Sequence, residues 1–259
     1  MELRTERRGA VGLLELHRPD QMNALTVELA TRLGAEATRL VADGARALVV
    51  TGSGTAFCAG ADLGIVRQAL DGDPNAALTP LVTGLHDSLR RLRALPVVVV
   101  AAVEGPAVGA GLGLALATDL RVLAEGARLI PGYLGIGSSP DGGVSWFLTR
   151  ALGAHRATRL LLRNEVLPAE AAQELGLADE VTPNGDAVAA AVALAETLTG
   201  LPSQALVRLR ELTDAATTQG LGAHLDHEQR LVTELWATQD FREGVSAFVE
   251  RRPARFTGD

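Results

Sequence analysis

Asp141 stands between a proline and two glycines in the stretch GSSPDGGVSW, residues 137–146, where it is the sole acidic side chain. Pro-Asp-Gly is a favourable turn in its own right, because proline presets φ and glycine accepts backbone angles that other residues avoid. The same turn also puts a carboxylate on display, so a turn former and a catalytic acid or base are both open readings. Two other stretches carry chemistry in the backbone: FCAGAD at 57–62 and GPAVGAG at 105–111. Each follows a buried strand pattern and opens a helix, which leaves amide N–H groups unpaired at a positively poised helix start. Anions are held in this way. Two such amides converging on one oxygen make an oxyanion hole for an enolate or a tetrahedral intermediate. Either segment alone is equally explained by small residues that let backbone elements pack closely.

Rival chemistries are poorly supplied. A phosphate loop ends in Gly-Lys-Ser/Thr, and residues 54–60 contain no lysine. The dinucleotide fingerprint is G-x-G-x-x-G, whereas residues 109–113 read G-x-G-x-G. His224 and His227 sit three apart without an evident third ligand, so they read as a solvated helix face and no metal site is expected. Cys58, the single cysteine, is flanked by apolar residues and reads as packing. Ser138 and Ser139 are placed to steady Asp141 or a water, with no support for a Ser-His-Asp triad.

In order along the chain, HRPDQMNAL at 17–25, AFCAGADL, VEGPAVGAGLGLALATDLRV, LGIGSSPDGG and the tail DFREGVSAFVERRPARF resemble the crotonase, or enoyl-CoA hydratase/isomerase, superfamily. The resemblance implies an α/β fold, a spiral of ββα turns with a C-terminal helical trimerisation region, that binds a coenzyme A thioester. It implies a core over 1–200 and a helical oligomerisation region over 201–259, assembled as a trimer or a dimer of trimers. The thioester oxygen would accept the amide N–H groups of Ala61 and Ala110, the latter opened by Gly109. Met22, Ala24, Ala59, Asp62 and Leu63 would border the coenzyme A arm, with Arg18, Phe248 and Phe256 as looser candidates.

The departures from the family are more informative than the matches. Hydratases of this family add water with two glutamates, and the corresponding positions here are Gly113 and Tyr133. Neither can carry a proton as a carboxylate does, so ordinary hydration lacks its machinery. Asp141 resembles the acidic position of members that shift double bonds, and also the nucleophilic aspartate of the dehalogenase-like branch. His86 falls where that branch carries its histidine base. The expectation is therefore an acyl-CoA isomerase with Asp141 as acid and base and no cofactor other than the coenzyme A of the substrate. The alternatives are an Asp141-nucleophile hydrolase or dehalogenase with His86 activating water, and an acyl-CoA-binding homologue without catalysis.

These residues need elements to position them. The periodicity predicts strands at 11–17, 47–51, 97–103 and 120–123, and helices at 26–41, 78–95 and 107–117, with a loop at 71–74. After about residue 151 the chain reads as helices at 154–162, 169–175, 186–199, 203–217 and 222–250. The apolar stripe of the last block requires a cover, either by folding back or by oligomerisation. A net charge of −7 argues against a nucleic-acid groove. The apolar run 94–118 carries only Glu104, but Glu-Gly-Pro interrupts it, which favours a buried strand and helix over a membrane span. One cysteine and a charged start without an apolar core fit a cytoplasmic protein.

Overall fold

The computed structural model describes residues 1–258. In chain order its strands are β1 (Leu3–Arg8), β2 (Val11–Leu16), β3 (Ala47–Gly52), β4 (Val98–Val103), β5 (Pro106–Val108), β6 (Leu120–Ala124), β7 (Arg128–Ile130), β8 (Leu167–Pro168) and β9 (Glu180–Thr182). The helices through the first two thirds are α1 (Val27–Ala42), α2 (Leu63–Ala69), α3 (Pro74–Ala94), α4 (Ala110–Leu116), α5 (Val144–Leu152), α6 (Ala154–Leu162) and α7 (Ala169–Glu174). Four more follow: α8 (Ala187–Leu198), α9 (Ser203–Ala215), α10 (Leu221–Trp236) and α11 (Gln239–Glu250).

β1 and β2 form an antiparallel hairpin, and from β2 onward the six-stranded sheet β1-β2-β3-β4-β6-β9 is parallel. Its central strands, β3 and β4, are buried along their whole length, in keeping with their Val/Ala/Leu-rich sequences. A second sheet of three short strands, β5-β7-β8, alternates along the chain with the later strands of the first. One core cluster fills the side of the main sheet covered by α1, α3 and α4, and a smaller one lies under α8.

Several boundaries differ from the sequence expectation. The expected helix 107–117 splits into β5 and α4. Ala107 pairs with both Cys58 and Leu129, and Gly109 at φ +52° then turns the chain before the helix begins. α3 starts at Pro74, inside the expected loop, because the Asp73 carboxylate accepts the N–H groups of Asn75 and Ala76 and Pro74 fits the first helical turn. The final helical block breaks in two, with Thr238 capping α11. α2, α5 and the short strands β5, β7, β8 and β9 are not among the elements expected from the sequence.

α1 and α3 pack at close range because small residues face each other: a Cβ on Gly34 would lie 2.7 Å from the Ser88 Cα. The buried Ser88 hydroxyl spans the joint, accepting from the Gly34 N–H and donating to the Ala30 carbonyl. This joint fixes α3, which forms one wall of the site. The boundary at 200 falls in the turn between α8 and α9. α9 is tied to the core by Arg210, only 8% exposed, which pairs with Asp119 and donates to the carbonyls of Leu95 and Val97. No described helix is long and apolar enough to cross a membrane.

Removing the Arg210 side chain leaves the Asp119 carboxylate with only the Val99 N–H as donor among the described residues and takes the Arg210 donors from two carbonyls. Arg210→Ala is expected to cost about 3 kcal/mol of stability, read as a lowered denaturation midpoint in urea. An unchanged midpoint would mean that the pair does not hold α9 to the core.

Candidate active site

Glycine determines where the two candidate amides point. Gly60 has φ +84° and Gly109 has φ +52° with ψ −117°, conformations that L side chains avoid, and each is followed by the alanine of interest. A Cβ on Gly60 would lie 2.8 Å from the Val108 carbonyl oxygen and 3.4 Å from the Ala110 nitrogen, so the two turns are in direct contact. They are held together by the Cys58–Ala107 bridge, and the Leu25–Ala61 bridge ties the first of them to the stretch after Asn23. Neither the Ala61 nor the Ala110 N–H donates to another described residue. Asn23 supports the arrangement from behind: fully buried at φ +55°, its amide donates to the carbonyls of Ser53 and Ala56 and its Oδ1 accepts the Arg18 N–H.

Both alanines open onto a cavity of about 370 Å³ that Tyr133 and Asp141 also line. Much of its remaining wall is aliphatic, built from Leu78, Leu81, Val82 and Leu85 of α3 with Val66 of α2 and Ile136, and Ser138 lines it as well, its hydroxyl donating to the Ser139 carbonyl. Tyr133 is buried, and its hydroxyl donates to Asp141 Oδ1 at 2.8 Å and lies 3.1 Å from the Asp141 carbonyl oxygen. The other carboxylate oxygen has no partner among the described residues. Burial, and then the Asp141 charge, push the Tyr133 phenol well above the usual tyrosine range, so it stands as a fixed donor.

Gly113 has a definite packing reason to be glycine. A Cβ there would lie 2.3 Å from the Gly142 carbonyl oxygen, backbone against backbone. The loop bearing Asp141 thus occupies space that any side chain at 113 would need. Gly142 also sits beside the second amide, since its own Cβ would be 3.5 Å from the Ala110 Cα.

The other candidates divide. Ala59, Leu63 and Gly109 line the same cavity. Met22 and Ala24 act through their carbonyls, which accept from Ala59 N–H and from Arg18. Arg18 is not a free cation: it pairs with Asp62 at 2.8 Å and with Glu2 at 3.2 Å. The Arg18 hydrogen bond holds the Asp62 carboxyl below its usual range, and Asp62 also caps α2 through the Gly64 N–H. Phe248 and Phe256 line a separate apolar cavity of about 350 Å³ against α9 and α11. His86 is half-buried on α3 with its Nε2 accepting the Gly142 N–H at 3.3 Å, off the cavity wall. Cys58 is buried, and burial pushes its thiol up to about 12. His227 departs from the expected solvated face: only 8% exposed, it bonds Glu211 of α9 through Nε2 at 2.8 Å. Sequence reasoning missed Gly142 and the α3 wall as parts of the site. The paired glycines after Asp141 and the Leu81/Leu85 spacing were the available signals.

The chain is similar to known proteins over nearly its whole length. The enoyl-CoA hydratase/isomerase family model matches residues 6–259. A Rhodobacter capsulatus protein named as a probable enoyl-CoA hydratase is 38% identical, over 99% of this chain and 98% of that one. The 1,2-epoxyphenylacetyl-CoA isomerase of Escherichia coli is 36% identical, over 95% of this chain and 94% of that one. The crystal structure of an enoyl-CoA hydratase from Polaromonas sp. JS666 superposes with a TM-score of 0.92 at 33% identity, covering 98% and 99% of the two chains.

Because the folded state holds the Tyr133 proton more tightly than the unfolded chain, the stability it contributes is intact at neutral pH and is lost as pH rises past about 10. Tyr133 is the only tyrosine. In a pH jump to about 11, phenolate absorbance is expected to appear with unfolding and not before it. Immediate ionisation in the folded protein would contradict the buried Tyr133–Asp141 bond.

Proposed function

The chain belongs to the enoyl-CoA hydratase/isomerase family, and from that premise we propose that it is an acyl-CoA isomerase whose acid and base is Asp141. The observation that carries the reading is the Tyr133–Asp141 pair on the wall of the cavity shared with the Ala61 and Ala110 amides.

The thioester oxygen of a 3-enoyl-CoA accepts the N–H groups of Ala61 and Ala110, which acidifies the protons at C2. The free oxygen of the Asp141 carboxylate takes one of them, leaving an enolate whose charge rests on the thioester oxygen. The protonated carboxyl returns the proton at C4, and the double bond moves from C3–C4 to C2–C3. One carboxylate serves both steps, with no net change in protons or electrons and no cofactor beyond the coenzyme A of the substrate. Tyr133, kept protonated, orients the carboxylate from its other oxygen. The aliphatic α3 wall suits the acyl chain and keeps water from the enolate. The isomerase name of the Escherichia coli relative is in keeping with this reading.

Hydration is disfavoured on two grounds: the positions of the two glutamates hold Gly113 and Tyr133, and Gly113 has no room for a side chain. A nucleophilic Asp141 with His86 activating water gains nothing from His86, whose Nε2 is taken by Gly142. The exposed apolar residues of α10 and α11, among them Leu225, Val232, Trp236, Val245 and Phe248, support a homo-oligomer that covers them. Light scattering is expected to give a trimer or a multiple of it, with Trp236→Glu and Phe248→Glu together shifting it toward monomer. A monomeric native protein would count against this assembly.

Asp141→Asn keeps the turn and the Tyr133 contact while removing the base. It is expected to lower kcat for 3-enoyl-CoA isomerisation by about 100-fold or more while leaving KM and coenzyme A ester binding little changed. Full activity in this variant would sink the assignment, and a native protein that binds thioesters without turning any over would favour the binding homologue.

A further inference from the structure

Asp141 sits at the head of a loop that has little stiffness of its own. Gly142 and Gly143 follow it with φ of +56° and +77°, two successive left-handed glycines. Besides the local Val144 N–H to Asp141 carbonyl bond, three contacts from other elements bear on the loop here. Gly113 receives the Gly142 carbonyl backbone to backbone, and Tyr133 grips Asp141 at its carboxylate and its carbonyl. The third comes from α3: the buried Gly142 N–H donates to His86 Nε2 at 3.3 Å.

We propose that His86 is a positioning residue whose Nε2 lone pair, by accepting the Gly142 N–H, sets the loop that presents Asp141. The proposal rests on the reading of Asp141 as acid and base. An imidazole nitrogen accepts only when it carries no proton, so this bond places the ring proton on Nδ1. The lone pair that a general base would offer to water is therefore already used, and the ring stands off the cavity wall. Gly142 has no other acceptor among the described residues, and a buried amide left without one is unfavourable, so losing His86 gives the loop reason to move. α3 itself is a firm support, being locked to α1 at Gly34–Ser88 and at Gly84–Thr31. The neighbouring Leu85 lines the cavity and lies 3.5 Å from where a Gly142 Cβ would be. One helix turn thus sets both the acyl wall and the height of the Asp141 loop.

The test compares His86→Phe, which keeps ring volume but has no acceptor, with His86→Gln, whose Oε1 reaches the same place and accepts without acting as a base. Each is assayed for kcat and KM with a 3-enoyl-CoA. Each is also examined by NMR of ring-labelled tyrosine, which yields one signal because Tyr133 is the only tyrosine. H86F is expected to lose kcat by about 10- to 100-fold with KM nearly unchanged and to shift the Tyr133 signal. H86Q is expected to restore most of kcat and the native signal. His86→Leu replaces H86F if the latter fails to fold. Native kcat with an unshifted signal in H86F overturns the proposal. So does an H86Q protein as inactive as H86F, which would make His86 a base. If instead Asp141→Asn stays active, the isomerase reading has failed, and the Tyr133 signal alone still decides whether His86 holds the loop.

Discussion

The site depends on one close approach between two stretches of backbone, Gly113 on α4 and Gly142 in the loop after Asp141. Close packing leaves no slack here: a single methylene at 113 would meet a carbonyl oxygen, so the loop or the helix would have to yield. The contact excludes an acidic side chain at 113 and sets Gly142 against Ala110, in the loop whose Asp141 lines the same cavity as the Ala110 amide.

Polar groups around this contact are each assigned a single role by burial. The Tyr133 phenol, desolvated and facing a carboxylate, stays protonated and donates. The Arg18 charge is consumed by Asp62 and Glu2. Cys58, with its thiol pushed up by burial, is a small packing residue under Gly111, whose Cβ would strike the Cys58 carbonyl at 2.3 Å. Among the groups left unpaired in the cavity are two amide N–H groups and one carboxylate oxygen, a set that suits an enolate reaction.

Much of this is legible in the amino-acid sequence. The glycine before each amide, the long apolar strands and the capped α1 follow from local rules, and the ordered motifs tie them to a family. The partners of Asp141 are not legible there. Tyr133 lies eight residues away, His86 on another helix and Gly113 on a third element, so their meeting is set by tertiary packing that leaves no periodic trace. The same holds for the short strands: β5, β7 and β8 gain their bonds from Cys58 and from one another, not from any pattern of their own. His227 departs from expectation for a related reason, since a polar residue in a polar helix run gives no sign that Glu211 will bury it.

The central claim is that one carboxylate serves both C2 and C4 of a thioester held by two backbone amides. A crystal structure of the protein with an unreactive 3-enoyl-CoA analogue tests it most directly. The account predicts the thioester oxygen within hydrogen-bond distance of both the Ala61 and Ala110 nitrogens, with the free Asp141 oxygen about 3 to 3.5 Å from C2 and C4. A thioester oxygen bound elsewhere, or an Asp141 carboxylate beyond reach of either carbon, would contradict it.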